Sequence, residues 1–204
     1  MVSTFPITYW ATYMGDDPDQ QDAINTGAAK SGNTDVRNNL IIQASRLQRL
    51  QDYFSIRGFD KSGRPHPNQV PILEIDHYID YLLINMWDGN YDWLDKNFWI
   101  GCYHSMPSRG FRFCQWDMEN TMGNSRERSP LNHQDVLRSA ATEPHFWLQH
   151  HPEDQLTFAN RVQKHFFNNS TLTTANLQKR YRQWAIGSPL AIPRRIRSLG
   201  WRSV

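Results

Sequence analysis

Cysteine is scarce in this 204-residue chain, which contains only Cys102 and Cys114. Two cysteines are too few for a disulfide-stabilised scaffold or for a cysteine-ligated zinc site. No apolar run reaches the roughly 18 residues that a membrane-spanning helix needs, so we expect no membrane span. The first ten residues lack the basic and apolar regions of a signal peptide, which makes the cytoplasm the default expectation for location.

Acidic residues are absent from the last part of the chain. No Asp or Glu occurs from residue 155 to residue 204, whereas nine Lys and Arg residues do. A basic end of this kind fits either an arm that binds a polyanion or a tail that does not pack like the body of the chain. We do not expect a nucleic acid as partner, although the residues that would contact its phosphates can be named: Lys179, Arg180, Arg182, Arg194, Arg195, Arg197 and Arg202.

Large aromatic residues, in contrast, are abundant: eight Trp, eight Tyr and ten Phe. They supply enough apolar surface for one sizeable core, which argues against disorder throughout the chain. We interpret most of the tryptophans as core residues.

Local patterns predict an α+β fold that is mainly helical. Residues 1–35 are expected to be poorly structured, with a loop or frayed helix rich in acidic and small residues. A helix is predicted over Val36–Phe54, capped by Thr34 or Asp35. The strongest amphipathic pattern begins at Ile75, with Asp76 as candidate N-cap, and Gly89 is expected to end that helix.

After this helix, two aromatic segments predict a β-hairpin with strands Phe98–Tyr103 and Phe111–Trp116, on which Cys102 and Cys114 are expected to share a face as packed thiols. Further helices are predicted over residues 134–139, 144–151, 153–167 and 172–184. We divide the chain into an N-terminal segment 1–35, a folded body 36–178 and a basic irregular tail 179–204.

Three polar residues around the hairpin suggest phosphoryl transfer. Protein kinases place an Asp five residues before an Asn in the catalytic loop, and a short hairpin then leads to a metal-binding Asp. Asp92 and Asn97 have this spacing, and Asp117 follows the second predicted strand. The order of helix, loop, hairpin and acid matters more than the Asp-to-Asn spacing, which alone is common.

A purely structural interpretation of the same residues stays open. Asp92 would cap a turn, Asn97 would satisfy loop backbone, and Asp117 would end a strand in solvent. Two departures from the kinase pattern favour this alternative. Asn90-Tyr91 stands where kinases have His-Arg, and no Phe-Gly follows Asp117.

Several spaced blocks resemble the CotH kinase family, whose members are atypical kinases found as secreted or spore-coat proteins. The resemblance covers roughly residues 35–178. It is carried by Asp76 to Trp93, Lys96-Asn-Phe-Trp99, Gly110 to Asp117, Glu119 to Pro130 and Phe158 to Asn168.

The resemblance implies a protein-kinase-like C-lobe and transfer of phosphate from Mg²⁺-bound ATP to protein Ser/Thr hydroxyls. Asp92 would be the catalytic residue, Asp117 a Mg²⁺ ligand, and Asn97 a second ligand and cofactor contact. The nucleotide-binding N-lobe is expected to be largely missing from this chain, so we expect weak or absent catalysis unless that lobe is supplied. The alternative function is a non-catalytic, kinase-like interaction module of a coat or surface protein.

Overall fold

The computed structural model describes residues 21–25, 28–90, 92–94, 96–103, 110–118, 120–121 and 139–187. The chain forms two compact units, residues 1–158 and 159–204, which we describe separately. None of the helices in these described ranges combines the length and the apolar character needed to cross a membrane.

The secondary structure is mainly helical with a small antiparallel sheet, which confirms the α+β class. The elements in chain order are β1 (Gln21–Asn25), β2 (Ala28–Ser31), α1 (Asp35–Ser45), α2 (Leu50–Ile56), α3 (Ile75–Asp88), β3 (Phe98–Tyr103), β4 (Arg112–Gln115), α4 (Glu143–Leu148), α5 (Pro152–Phe166) and α6 (Thr174–Gly187).

The sheet has the strand order β2-β1-β3-β4, and all its neighbouring strands are antiparallel. The predicted hairpin is therefore confirmed as β3 and β4. The loop or frayed helix expected before residue 35 is wrong for residues 21–25 and 28–31, which form β1 and β2. Strand β1 exists because it pairs with β3 far along the chain, with Ile24 opposite Ile100, and local composition does not show such pairing.

The first twenty residues, the predicted helix over 134–139 except its last residue, and the tail after residue 187 lie outside the described residues. The proposed division at residues 35 and 178 stays a prediction.

The two cysteines lie on opposite faces of the sheet, so the expectation of a shared face is wrong. Cys114 is paired with Trp99 and points to the same side as that residue. Cys102 lies two residues beyond Ile100, whose partner is Phe113, and therefore points to the other side. Neither is in a disulfide, and burial raises the pKa of Cys114 to about 11. A thiol with that pKa stays protonated at neutral pH and packs as a small apolar group.

The single helix predicted over Val36–Phe54 is also wrong, because the chain leaves the helix between α1 and α2. The carboxylate of Asp52 accepts a hydrogen bond from the backbone N–H of Arg49 at 3.0 Å and pairs with the Arg49 guanidinium at 3.1 Å. A carboxylate that reaches back in this way starts a new helix. Thr34 precedes α1 but makes no side-chain capping bond.

Helix α3 is the centre of the first unit. It begins at Ile75 and ends at Gly89, which adopts the left-handed conformation with φ 63°. Glu74 occupies its N-cap position, so the expected cap at Asp76 is wrong; Asp76 instead binds the guanidinium of Arg57 at 2.7 Å. The helix is buried around most of its circumference, through Ile75, Tyr78, Ile79, Tyr81, Leu82, Leu83, Asn85 and Asp88.

Backbone hydrogen bonds join the chain entering α3 to the chain entering β4. Phe111 donates its N–H to Ile72 O at 2.8 Å, and Phe111 O accepts the N–H of Glu74 at 3.1 Å. Gly110 permits this approach, because it has φ +81° and a Cβ at this position would lie 2.8 Å from the backbone of Ile72 and Leu73. The beginning of α3 is thereby held against the hairpin.

We expect Gly110→Ala to lower the free energy of unfolding by about 2–4 kcal/mol, because the added Cβ meets backbone and the left-handed conformation disfavours it. Urea denaturation measures the loss. Gly63→Ala is the matched control: Gly63 has φ +76°, but its added Cβ would meet the movable Phe54 ring. An equal loss in the two variants would contradict the backbone contact.

A buried carboxyl group lies between α2 and α5. Asp154 is 2% exposed and accepts a hydrogen bond from the Tyr53 hydroxyl at 3.3 Å. The His151 ring stacks on Tyr53 with 4.9 Å between centroids. Burial raises the pKa of Asp154 to about 6 against the opposing effect of the Tyr53 hydrogen bond. The folded protein therefore holds this proton at pH values where the unfolded chain has released it.

This raised pKa predicts that the carboxyl group weakens the fold as pH rises. Between pH 3.8, the ordinary pKa of this group, and about pH 6, the folded state binds more protons than the unfolded chain. The contribution of Asp154 to the free energy of unfolding therefore falls as pH rises, by about 3 kcal/mol in total. Asp154→Asn removes this decrease, which urea denaturation between about pH 4 and pH 7 would detect. Parallel stability curves for the variant and the wild type would contradict the buried-acid assignment.

Helix α5 buries little of its surface. Asp154 is its one buried residue, whereas Leu156 is 56% exposed. The helix itself is confirmed, as is the predicted helix over 144–151 in the shorter form α4.

The second unit contains the end of α5 and helix α6, which confirms the helix predicted over 172–184. The turn between them uses Asn168 and Asn169 in the left-handed conformation. Asn176 donates to the carbonyl oxygens of Asn169 and Ser170 at 2.7 and 2.8 Å and so closes the turn.

Candidate functional site

The loop between α3 and β3 holds a carboxylate in an asymmetric environment. The Asp92 side chain is 8% exposed. Its Oδ2 lies 3.4 Å from Lys96 Nζ and accepts a hydrogen bond from Asn120 Nδ2 at 3.2 Å. Its Oδ1 is buried without a hydrogen-bond partner among the described residues. Because an unpaired buried oxygen is costly, this oxygen is the natural acceptor for a group supplied by a ligand.

Asn97 joins the same loop to the turn after the hairpin. It is buried and adopts the left-handed conformation with φ 59°. Its backbone oxygen accepts the N–H of Trp116 at 3.2 Å, and its Nδ2 donates to the backbone oxygen of Asp117 at 3.4 Å. Among the described residues, none is seen to donate to the side-chain oxygen of Asn97, which can therefore accept a ligand.

Asp117 lies two residues after the end of β4. Its φ is 56°, a conformation that Asp adopts more readily than most residues, and its side chain is exposed. The segment from Trp116 to Asn120 therefore contacts both ends of the loop, since Asn120 reaches Asp92 while Trp116 and Asp117 bond to Asn97. The three residues selected from the sequence belong to two segments in direct contact.

Sequence reasoning missed Asn120, whose amide holds one oxygen of Asp92. Its position three residues after Asp117 was visible, but nothing in the pattern indicates that the chain turns back towards Asp92. Asp88 was also missed: it ends α3, accepts the N–H of Asn90 at 3.0 Å, and burial raises its pKa to about 6.

The donor atoms at this site suit a hard cation that already carries phosphate oxygens. No group of three or more His, Cys, Asp or Glu residues is arranged for metal binding in the ranges described. Mg²⁺ does not require such a group, because it is commonly held by one or two carboxylates together with substrate phosphates and water. Carboxylate oxygens of Asp117 and the amide oxygen of Asn97 fit that requirement.

The left-handed backbone conformation of Asn97 can be tested through stability, without any measurement of activity. Asn97→Gly should be more stable than Asn97→Ala by about 1 kcal/mol, because both lose the amide and only Ala resists a positive φ. Urea denaturation measures the difference. At the exposed helical position Asn39 the order should reverse, by about 1 kcal/mol in favour of Ala. The same order at both positions would contradict the conformation of Asn97.

Comparison with known proteins agrees with the resemblance seen in the sequence. A family model described as CotH kinase protein matches residues 19–184, well over half of the chain and every element from β1 to most of α6. No curated protein and no solved structure matches the chain. The matched region contains Asp92, Asn97 and Asp117 in the order in which a kinase site would need them. The chain therefore belongs to the CotH kinase family.

Proposed function

We propose that this protein transfers phosphate from Mg²⁺-bound ATP to the Ser or Thr hydroxyls of protein substrates, using a protein-kinase-like C-lobe. Membership of the CotH kinase family supports a kinase-like function. The order of buried helix, loop, hairpin and acidic turn supports the likeness to a kinase C-lobe.

The observation that carries the proposal is the unequal environment of the two Asp92 oxygens. Lys96 and Asn120 hold Oδ2, which fixes the orientation of the carboxylate. Oδ1 is buried and without a partner in the described part of the chain, so it has the capacity to accept a hydrogen bond from a substrate hydroxyl that displaces the side chains covering it. Asp92 Oδ1 then takes the hydroxyl proton as the oxygen forms its bond to phosphorus, and ADP leaves.

The metal would be held by the exposed carboxylate of Asp117 and the amide oxygen of Asn97. When bound, Mg²⁺ neutralises phosphate charge and orients the transferred group. The hydrogen bond from Asn97 Nδ2 to the Asp117 backbone keeps the two ligands together before any ion arrives. The Lys96 side chain is 64% exposed, so its ammonium group can also approach phosphate oxygens, and Asn120 would then hold Asp92 Oδ2.

The proposal predicts that Asp117→Ala weakens Mg²⁺-dependent ATP binding by about tenfold or more, because a carboxylate ligand is lost. Isothermal titration calorimetry with and without Mg²⁺ measures the change. Asp35→Ala is the control, since it removes an exposed carboxylate from the first turn of α1 and should leave binding unchanged. Unchanged affinity in Asp117→Ala would rule out the assignment of this residue as a ligand.

A second variant in the same assay separates binding from chemistry. Asp92→Asn keeps the size of the side chain but removes the proton acceptor, so ATP binding should persist while phosphate transfer to a protein substrate falls by about 10²–10⁴-fold. Transfer at the wild-type rate in Asp92→Asn would exclude Asp92 as the base.

A non-catalytic interaction module is the second candidate, and exposed apolar side chains favour it. In the second unit Phe167 and Tyr181 are 51% and 59% exposed, which suits contact with a protein partner. A folded wild-type protein that binds no Mg²⁺-ATP in the calorimetric experiment would favour this function over the kinase.

A further inference from the structure

Three amide side chains form a continuous hydrogen-bonded chain in the interior beside the candidate site. Asn85 on α3 and Asn90 after it are both 0% exposed, and Gln115 ends β4. We call these residues the amide chain. Each amide carries donors and an acceptor that lose water on burial, so each needs partners within the protein.

The bonds of the amide chain all run in one direction. The backbone N–H of Asp92 donates to Asn90 Oδ1 at 3.4 Å, and Asn90 Nδ2 donates to Asn85 Oδ1 at 2.8 Å. Asn85 Nδ2 then donates to Gln115 Oε1 at 2.8 Å. In such a sequence each bond polarises the next and strengthens it.

The far end of the amide chain reaches the segment that contains Asp117. Gln115 lies two residues before Asp117, and its Nε2 donates to the sulfur of Met118, one residue after it. The chain therefore begins at the backbone of Asp92 and ends on both sides of Asp117. It connects the proposed base to the proposed metal ligand through the protein interior.

The middle of the amide chain is anchored to helix α3. Asn85 Nδ2 also donates to the backbone oxygen of Tyr81 at 2.8 Å, and the N–H of Asn90 donates to Asp88 Oδ1 at 3.0 Å and Asn85 O at 3.1 Å. These bonds fix both amides against the buried end of the helix. Asn90 stands at the position where the kinase pattern has His, so the departure noted in the sequence coincides with a built-in structural role.

We propose that the amide chain is a positioning device that sets the distance between the Asp92 loop and the Asp117 turn. The proposal rests on the proposed function in one respect, namely that these two acids act on the same Mg²⁺-ATP. None of the three amides touches substrate. They act through the segments they hold.

The test replaces Gln115, which is only partly buried and lies at the end of the amide chain, so that the fold survives. Gln115→Leu removes the acceptor used by Asn85 and the donor used by Met118, whereas Gln115→Glu retains the acceptor. Gln43→Leu is the matched control, because Gln43 bonds to Asn39 within its own helix α1. Full-length protein is used throughout.

Two quantities are measured for each variant: the hydrogen-exchange rate of the Asp92 backbone N–H by nuclear magnetic resonance, and the Mg²⁺-dependent affinity for ATP by calorimetry. In Gln115→Leu we expect exchange about tenfold faster and affinity about tenfold weaker, the factor that corresponds to 1.4 kcal/mol. Gln115→Glu should lie closer to the wild type in both measurements, and Gln43→Leu should match it.

The two measurements separate failure of this proposal from failure of the proposed function. An unchanged exchange rate at Asp92 in Gln115→Leu overturns the positioning role, whether or not ATP binds. Faster exchange in Gln115→Leu, restored in Gln115→Glu, supports the positioning role. If the wild-type protein then binds no Mg²⁺-ATP, the coupling between the segments stands and the kinase assignment fails.

Discussion

Burial of helix α3 around most of its circumference is the constraint on which the rest of the first unit depends. Its apolar side chains form the core against β4, where the ring of Phe113 lies 4.5 Å from that of Tyr78 and 5.5 Å from that of Tyr81. Its C-terminal end carries polar groups, Asn85 and Asp88, which are buried with it. Those groups must find partners inside the protein, and they find them in the loop after the helix and in the last residue of β4.

This requirement brings the two halves of the candidate site together. The loop from Asp92 to Asn97 is hydrogen-bonded at its first residue to Asn90 and at its last residue to Trp116 and Asp117. Asp92 is consequently a carboxylate with one restrained oxygen and one oxygen left without a partner among the described residues. A carboxylate that is already oriented before the ligand binds favours catalysis, because its geometry does not have to be created during the reaction.

The sequence predicted those features that depend on local pattern. The sequence predicted the apolar period of α3, its end at Gly89 and the β3–β4 hairpin. Burial of one helix face and the formation of turns both leave patterns in the local sequence. Features that depend on distant partners were not predicted. Strand β1 forms by pairing with β3, which is distant in the chain. The faces on which the two cysteines lie depend on the register of the hairpin. The break before α2 depends on the hydrogen bond that the Asp52 carboxylate accepts from the Arg49 backbone. At the site, the sequence spacing identified Asp92, Asn97 and Asp117. Four other polar residues have a role that only the tertiary contacts reveal: Asn85, Asn90, Gln115 and Asn120.

Strand β4 is attached to α3 at both ends, by backbone bonds near Phe111 and by the side-chain bond from Asn85 to Gln115. A strand fixed at two points cannot slide by one residue, because a slip would turn Phe113 out of the core and carry Gln115 away from its amide partner. Variation in the length of this hairpin among natural relatives should therefore be accommodated outside the interval from Phe111 to Gln115. The separation of four residues between those two anchors places Asp117, which follows the second anchor by two residues, at a constant distance from the end of the helix.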